Sequence, residues 1–224
     1  MSSQEAPQLT FLFADLSGFT ALTETHGDDD AADIVARLYE LAQGALEGEA
    51  RFVKTIGDAV MIVAAEAAPV VLTALRLLAA AQQEPGFPAL RAGLHLGPCV
   101  ERAGDYIGAT VNLAARITAY ARSDQILCTE AVVNAIRPLE IAAIRAVGSA
   151  QFKNVTQPVA LFEIEDPRHP AAPSDTDPVC RMRLDPERTL ARLPYGDHVY
   201  HFCSFNCAQK FAQAPEMYVM KRQI

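Results

Sequence analysis

Two aspartates in the N-terminal half of the chain have the residue type and the setting of metal ligands. Asp15 directly follows the apolar run 9–14, which is typical of a β-strand, and Asp58 lies in a Gly-Asp turn between two strand-like segments. Hard divalent cations such as Mg²⁺ take oxygen ligands, and carboxylates at the ends of strands suit them. Taken singly, either aspartate is more typical of a turn or a helix cap. Together they form a candidate site for a divalent cation.

A second pair of residues has the chemistry to bind phosphate groups. Asn112 and Arg116 are four residues apart in the segment 111–120, whose apolar pattern is typical of a helix, so their side chains share one face. The planar guanidinium of arginine forms paired hydrogen bonds with phosphate oxygens. A surface helix with ordinary polar residues is the alternative interpretation.

These residues lie within three motifs that occur in order along the chain. The motifs are FADLSGFT at 13–20, KTIGDA at 54–59 and DYIGATVNLAAR at 105–116. Together they resemble the class III nucleotidyl cyclases, over about residues 9–164 of this chain. The resemblance implies an enzyme that cyclises a nucleoside triphosphate.

The resemblance also implies a role for each candidate residue. Two Mg²⁺ or Mn²⁺ ions per active site would be held by Asp15, by Asp58 and by the backbone carbonyl of Leu16. The other implied roles are purine recognition by Lys54 and Asp105, ribose orientation by Asn112, transition-state stabilisation by Arg116, and contact with the terminal phosphates by Lys153. Cyclases of this family often have glycine after that lysine, whereas this chain has Asn154.

Hydrogen bonding favours adenine over guanine as the base. Adenine has a donor amine at C6, from which Asp105 can accept, and an acceptor at N1, to which Lys54 can donate. Guanine reverses both groups. We therefore expect ATP as the substrate, and 3′,5′-cyclic AMP and pyrophosphate as the products. In the resembling family each site combines residues of two subunits, so we expect a homodimer with two identical sites.

The C-terminal segment carries cysteines among aromatic residues. Cys180, Cys203 and Cys207 lie within residues 175–218, which resemble a YHS domain. One departure is Arg181, where that family often has glycine. Three thiols can bind a soft metal such as zinc or copper, so this segment is a candidate second metal site and a candidate regulatory module.

A closed tetrahedral metal site needs four ligands. His198, His201 or a second chain could supply the fourth. The alternative is a small module whose buried thiols serve dimer contacts. A broader alternative is a metal-binding or interaction protein whose cyclase-like domain no longer reacts.

The elements that must position these residues mix helices and strands without regular βαβ spacing. Residues 52–64 are typical of a hairpin and residues 70–81 of a helix. The mixture and the resemblance predict an α+β fold, in which a ferredoxin-like cyclase domain with a mainly antiparallel sheet precedes a small α+β YHS module. The proline-rich residues 166–178 predict a linker between a domain at 1–165 and a module at 179–224.

Composition and charge limit the partners. The chain has 27 acidic and 19 basic residues, a formal net charge of −8, whereas nucleic-acid binding needs a concentrated basic face. The most apolar stretch, 60–81, contains Glu66, Pro69 and Arg76, which interrupt it too often for a membrane span. Residues 1–8 lack the apolar segment of a secretory signal. The five cysteines are an odd number, as expected of reduced thiols. We expect a cytoplasmic protein that binds neither nucleic acid nor membrane.

Overall fold

A seven-stranded sheet forms the centre of the N-terminal domain. The computed structural model describes residues 7–167, 175–184 and 189–219. In spatial order, the strands of the sheet are β2 (Arg51–Ile56), β3 (Ala59–Ala64), β1 (Gln8–Leu16), β4 (Leu90–Pro98), β7 (Ile126–Thr129), β9 (Val159–Glu165) and β8 (Ala143–Ala150). All neighbours are antiparallel except β4 and β7, which are parallel. The predicted α+β class with a mainly antiparallel sheet is confirmed.

Helices cover both faces of this sheet. They are α1 (Phe19–His26), α2 (Asp28–Ala45), α3 (Ala67–Gln83), α4 (Ala109–Tyr120) and α5 (Glu130–Ile136), the last followed by a 3₁₀ turn at Arg137–Leu139. A short hairpin formed by β5 (Val100–Arg102) and β6 (Asp105–Ile107) precedes α4. Within the described ranges, none of the helices is both long and apolar enough to cross a membrane.

The alternation of side chains along β1 decides which helix meets which face. Leu12 and Leu16 pack in the larger core with residues of α2, α3 and α5. Phe11 and Phe13 point to the other face, where α4 contributes to the cluster. Asp15 follows the same alternation and therefore belongs to the α4 face.

The C-terminal module shares a hydrophobic core with the N-terminal domain. Its elements are β10 (Ala191–Tyr195), β11 (His198–Phe202), α6 (Phe205–Gln213) and a 3₁₀ turn at Pro215–Met217. Buried Phe202 and Phe211 lie in one cluster with Leu22 of α1 and Ala31 of α2. Apolar side chains from both parts of the chain thus stabilise one another.

The packed part of the module begins inside the predicted linker. Residues 168–174 of the linker lie outside the described residues. Asp177, however, is fully buried, and Met182 forms an isolated β-bridge with Pro88, next to the start of β4. The chain is therefore already packed within the module before residue 179, and it meets the N-terminal domain at Met182.

The close approach of β4 and α4 depends on a glycine. A Cβ atom at Gly93 would lie 2.3 Å from the backbone nitrogen of Thr118 and 2.6 Å from its hydroxyl oxygen. That hydroxyl donates to the carbonyl oxygen of Phe13 at 3.2 Å. The missing side chain lets α4 lie directly against β1 and β4.

We predict that Gly93→Ala lowers the free energy of unfolding by about 1–3 kcal/mol or more, because overpacking at this contact forces the helix away from the sheet. Urea denaturation measures the change. Gly44→Ala in α2 is the matched control, because nothing lies within 4 Å of the added atom. We expect that control to raise the unfolding free energy by up to about 1 kcal/mol. A neutral Gly93→Ala would contradict the close contact.

Candidate active site and cysteine cluster

The two predicted metal aspartates lie side by side at the end of β1. Asp15 is opposite Ala59 in the β1–β3 register, so the turn that carries Asp58 lies beside it. The backbone nitrogen of Leu16 donates to the backbone oxygen of Asp58 at 3.3 Å. Burial raises the pKa of Asp15, the hydrogen bond from Arg91 lowers it, and the charge of Asp58 raises it again. Two close carboxylates repel each other unless a cation lies between them, so this arrangement fits divalent ions.

Arg91, which the three motifs do not contain, holds Asp15 in place. It lies on β4 directly opposite Asp15. Its Nε and Nη2 atoms donate to Oδ2 of Asp15 at 2.8 and 2.5 Å, and Nη1 donates to the carbonyl of Ala119 in α4 at 3.2 Å. An arginine in β4, a strand that also contains His95, is too general a signal to indicate this role from the sequence. Both contacts of Arg91 use Oδ2 of Asp15, and neither of them occupies Oδ1.

Lys54 and Asp105 are brought together across the gap between β2 and β6. The Nζ atom of Lys54 lies 2.5 Å from Oδ2 of Asp105, and the backbone nitrogen of Tyr106 donates to Oδ1 at 2.8 Å. The hydrogen bond from Lys54 holds the pKa of Asp105 below its usual value. The two side chains are 39% and 45% exposed, so the pair lies open to solvent in a single chain.

Asn112 and Arg116 lie one turn apart on α4. Asn112 is exposed and Arg116 is half-buried. The start of the helix is fixed by Thr110, whose hydroxyl donates to the carbonyl of Pro98 at 2.5 Å. Within the described part of the chain, Arg116 has no side-chain partner, so its guanidinium is available for a phosphate group.

Lys153 lies in an exposed turn between β8 and β9. The following residue, Asn154, has a φ of 61°. This left-handed region is open to glycine and is more accessible to asparagine than to most other residues. Asn154 therefore adopts a backbone conformation that glycine also favours. Arg181, the corresponding departure in the YHS segment, also has a φ of 61° and occupies this region under strain.

A shallow groove of about 220 Å³ lies beside Asp15, lined by Ile56 and by Ala115 and Ala119 of α4. Large apolar side chains are exposed near the Lys54–Asp105 pair, in β2 and in the β5–β6 hairpin. They are Ile56 at 48%, Val100 at 52% and Ile107 at 58% exposure. The groove beside Asp15 and the apolar side chains near the Lys54–Asp105 pair are thus both open to solvent.

The three predicted thiols converge in the C-terminal module. The Sγ atom of Cys203 lies 3.5 Å from that of Cys180 and 3.7 Å from that of Cys207. The Nε2 atom of His26 lies 3.4 Å from the Cys203 sulfur and 3.8 Å from the Cys207 sulfur. All four ligand atoms lie within 4.8 Å of one another. The donor set of three sulfurs and one imidazole nitrogen fits a thiophilic metal.

The imidazole in this cluster is not one of those predicted from the sequence. His198 and His201, both in β11, are not members of the group of four. His26 ends α1 and is separated from Cys203 by 177 positions, so no local spacing indicates it.

The buried carboxylate of Asp177 accepts hydrogen bonds from the two loops that carry Cys180 and Cys203. Asp177 accepts through Oδ1 from the backbone nitrogens of Val179 at 2.8 Å and Cys180 at 3.3 Å. Its Oδ2 accepts from the backbone nitrogen of Cys203 at 2.9 Å. Burial raises the pKa of Asp177. No motif indicates that Asp177 also fixes Cys203, because these two residues are 26 positions apart and are brought together by the fold.

Comparison with known protein families agrees with both parts of the chain. The adenylate and guanylate cyclase catalytic domain matches residues 1–159, and the YHS domain matches residues 176–222. The first match covers more than half of the chain. The chain therefore belongs to the adenylate and guanylate cyclase catalytic domain family. It carries a YHS domain at its C-terminal end.

Individual relatives follow the same division. A pH-sensitive adenylate cyclase from Mycobacterium tuberculosis is 41% identical over 131 residues, which are 58% of this chain and 33% of that protein. A copper-transporting P-type ATPase from Rhizobium leguminosarum bv. viciae is 49% identical over 43 residues, which are 19% of this chain and 5% of the ATPase. The crystal structure of an adenylyl cyclase from P. aeruginosa superimposes with a TM-score of 0.60 at 22% identity, and covers 77% of this chain and 100% of that one. The chain thus spans about a third of the length of the mycobacterial relative, and the structural likeness supports the fold.

We predict that Asn154→Gly changes the unfolding free energy by no more than about 0.5 kcal/mol, whereas Asn154→Val lowers it by about 1–2 kcal/mol, because a β-branched residue is strained at a positive φ. Lys153→Val is the matched control, since Lys153 is exposed and is not among the residues with positive φ. Chemical denaturation compares the three variants. Equal costs for valine at both positions would contradict the left-handed turn.

Proposed function

We propose that the chain is an adenylyl cyclase, which converts ATP to 3′,5′-cyclic AMP and pyrophosphate. The observation that carries the proposal is the Lys54–Asp105 contact of 2.5 Å, found in the same fold as the adjacent carboxylates Asp15 and Asp58. A domain with the carboxylates alone could serve several phosphate chemistries. The additional lysine–aspartate pair has the donor and acceptor that the edge of adenine requires.

Mg²⁺ or Mn²⁺ ions would be held by the Asp15 and Asp58 carboxylates and by the carbonyl of Leu16. When bound, two such ions lower the pKa of the ribose 3′ hydroxyl and neutralise charge on the triphosphate. Arg91 keeps Asp15 oriented through Oδ2. Holding the carboxylate in one orientation reduces the reorganisation needed when the substrate arrives.

The remaining residues act on the nucleotide. Asn112 orients the ribose, so that its 3′ oxygen faces the α-phosphorus in line with the departing pyrophosphate. Arg116, one turn along α4, donates to the α-phosphate oxygens as charge develops on them. Lys153 contacts the terminal phosphates. The exposure of Asn112 and Lys153 supports contact with a ligand rather than a structural role.

We further propose that the active enzyme is a homodimer with two shared sites. The Lys54–Asp105 pair is 39% and 45% exposed, and the neighbouring Ile56, Val100 and Ile107 are exposed as well. Contiguous exposed apolar side chains are typical of interaction surfaces. A second copy placed on this surface would bury them and surround the substrate residues.

We propose a cytoplasmic location and a metal-binding role for the C-terminal module. Cytoplasmic thiols remain reduced, as metal ligands require. The convergence of Cys180, Cys203 and Cys207 supports zinc or copper binding, as does the similarity of the segment to part of a copper-transporting ATPase. We also propose that this module regulates the cyclase.

We predict that Lys54→Glu combined with Asp105→Cys lowers the ATP:GTP preference about tenfold or more, because both purine contacts lose their complementary groups. Rates of cyclic AMP and cyclic GMP formation with Mn²⁺ measure the preference. Arg145→Glu in β8, at the opposite edge of the sheet from β2, is the control for a charge change remote from Asp105 and should leave the preference intact. An unaltered preference in the double variant would argue against the assigned contacts.

Mixed dimers test the shared site. Asp15→Ala and Arg116→Ala should each reduce activity at least about a hundredfold, since each damages both sites of its own homodimer. When the two variants exchange subunits, one site of each heterodimer carries both lesions and the other carries none. Activity should then return to about half of the wild-type value per heterodimer.

The control for this experiment is a mixture of Asp15→Ala with Asp58→Ala. Both lesions lie in the metal half, so every site is damaged and no activity should return. Native mass spectrometry of isotopically labelled subunits verifies that exchange has taken place. An inactive Asp15→Ala and Arg116→Ala mixture, despite verified exchange, would rule out the shared-site mechanism.

A further inference from the structure

We propose that His26, at the end of α1 in the cyclase domain, is the fourth ligand of a zinc site completed by Cys180, Cys203 and Cys207. The inference rests on the proposed metal binding by the C-terminal module. It adds the fourth ligand of that metal site and a link between the site and the cyclase domain. A metal at this position would tie the module to the segment that begins at the catalytic carboxylate Asp15.

The distances match those of a tetrahedral ion. With zinc–sulfur bonds of about 2.3 Å and a zinc–nitrogen bond of about 2.0 Å, two sulfurs are about 3.8 Å apart and sulfur and nitrogen are about 3.5 Å apart. The observed sulfur–sulfur separations are 3.5 and 3.7 Å. The separations from His26 Nε2 to the sulfurs of Cys203 and Cys207 are 3.4 and 3.8 Å. The other two separations, from Cys180 to Cys207 and to His26, lie within 4.8 Å, so the four donor atoms have nearly the spacing of a tetrahedral site.

Hydrogen bonds from neighbouring residues hold the loops that carry the thiols, as is usual around metal ligands. Asp177 is fully buried and accepts hydrogen bonds from the backbone nitrogens of Cys180 and Cys203, so both thiol-bearing loops are fixed. Ser204 accepts from the backbone nitrogen of Cys207 at 3.1 Å and caps α6. Such contacts from a second layer of residues orient ligands before the metal binds.

The last turn of α1 is held by α6 as well as by the cluster. The side chain of Asn206 donates to the carbonyl of Thr25 at 3.0 Å. Lys210 forms an ion pair with Glu24. The position of His26 relative to the thiols is therefore set by direct contacts between the two helices.

The segment around Cys180 also contacts the turn that follows Asp15. A Cβ atom at Gly18 would lie 3.2 Å from the carbonyl oxygen of Cys180, so the loop after Asp15 touches the thiol-bearing segment. The backbone nitrogen of Ala89 donates to the carbonyl of Arg181 at 3.0 Å, and the carbonyl of Ala89 accepts from Ser17 at 2.8 Å. The turn 17–18, which follows the Asp15 end of β1, is thus connected to the cluster both by direct contact with Cys180 and through α1, which begins at Phe19.

Metal occupancy should consequently reduce the motion of this turn and of α1. The zinc ion can bond to His26 only when α1 is in the position seen here. By linkage, the ion stabilises that position and disfavours alternatives. The metal would in this way act on the orientation of Asp15 from outside the active site.

Co²⁺ titration of the reduced full-length chain tests the ligand set. A tetrahedral thiolate site gives intense sulfur-to-cobalt charge transfer, whereas Co²⁺ bound to the Asp15 and Asp58 carboxylates gives only weak absorption. We expect one intense Co²⁺ site per chain, displaced by one equivalent of Zn²⁺. His26→Ala should weaken zinc binding by a factor of about 10 to 100, as measured with a competing chelator. His198→Ala, a histidine outside the cluster, should leave it unchanged.

His26→Cys distinguishes loss of a ligand from damage to the fold. It should restore tight zinc binding and strengthen the charge-transfer band, because a fourth sulfur replaces the nitrogen. Amide hydrogen exchange gives a readout independent of catalysis. Zinc should slow exchange in residues 17–26 of the wild type and of His26→Cys, with no such effect in His26→Ala.

The outcomes separate the two proposals. A wild-type chain that binds no Co²⁺, Zn²⁺ or Cu⁺ through its thiols would overturn both. Unchanged zinc affinity and spectrum in His26→Ala would overturn the fourth-ligand inference alone, as would a site that takes only Cu⁺ and is indifferent to His26. Tight zinc binding without slower exchange in residues 17–26 would overturn the link to the turn after Asp15.

Discussion

β1 lies inside the sheet, hydrogen-bonded to β3 on one side and to β4 on the other, and this double pairing fixes its register. Because side chains alternate along a strand, a slip of one residue would exchange its two faces. Leu16 would then leave the core, and the Asp15 carboxylate would enter it without a partner, at considerable cost. The position of the Asp15 carboxylate relative to α4 is thus secured by the apolar packing of its neighbours along β1.

Much of the fold could be predicted because its signals are local. The Gly57–Asp58 turn between two apolar segments indicates the β2–β3 hairpin, and the apolar pattern at 70–81 indicates α3. The sequence shows no clear signal for α1, since a helix of eight residues has only about two turns in which an apolar period can appear. β8 was missed too, because most of its side chains are exposed and no alternation marks it.

The candidate site divides in the same way. Residues such as Asp15 and Lys54 are visible from sequence because they occur in contiguous motifs. Arg91, Asp177 and His26 are not, because each acquires its role from a partner that is distant in the chain: Asp15 across the sheet, Cys203 in the module, and the thiols opposite α1. Only tertiary structure creates these contacts.

The cluster that joins Leu22 and Ala31 to Phe202 and Phe211 has an evolutionary consequence. A module with its own complete core can be moved between proteins unchanged, whereas this module also packs against two helices of the N-terminal domain. Transplanted to an unrelated host it would expose its aromatic side chains, and the donor domain would be left with an uncovered apolar patch. Because the segment is also similar to part of a copper-transporting ATPase, a different host would have to supply its own apolar surface, and in this chain we expect compensating substitutions at positions 22, 31, 202 and 211.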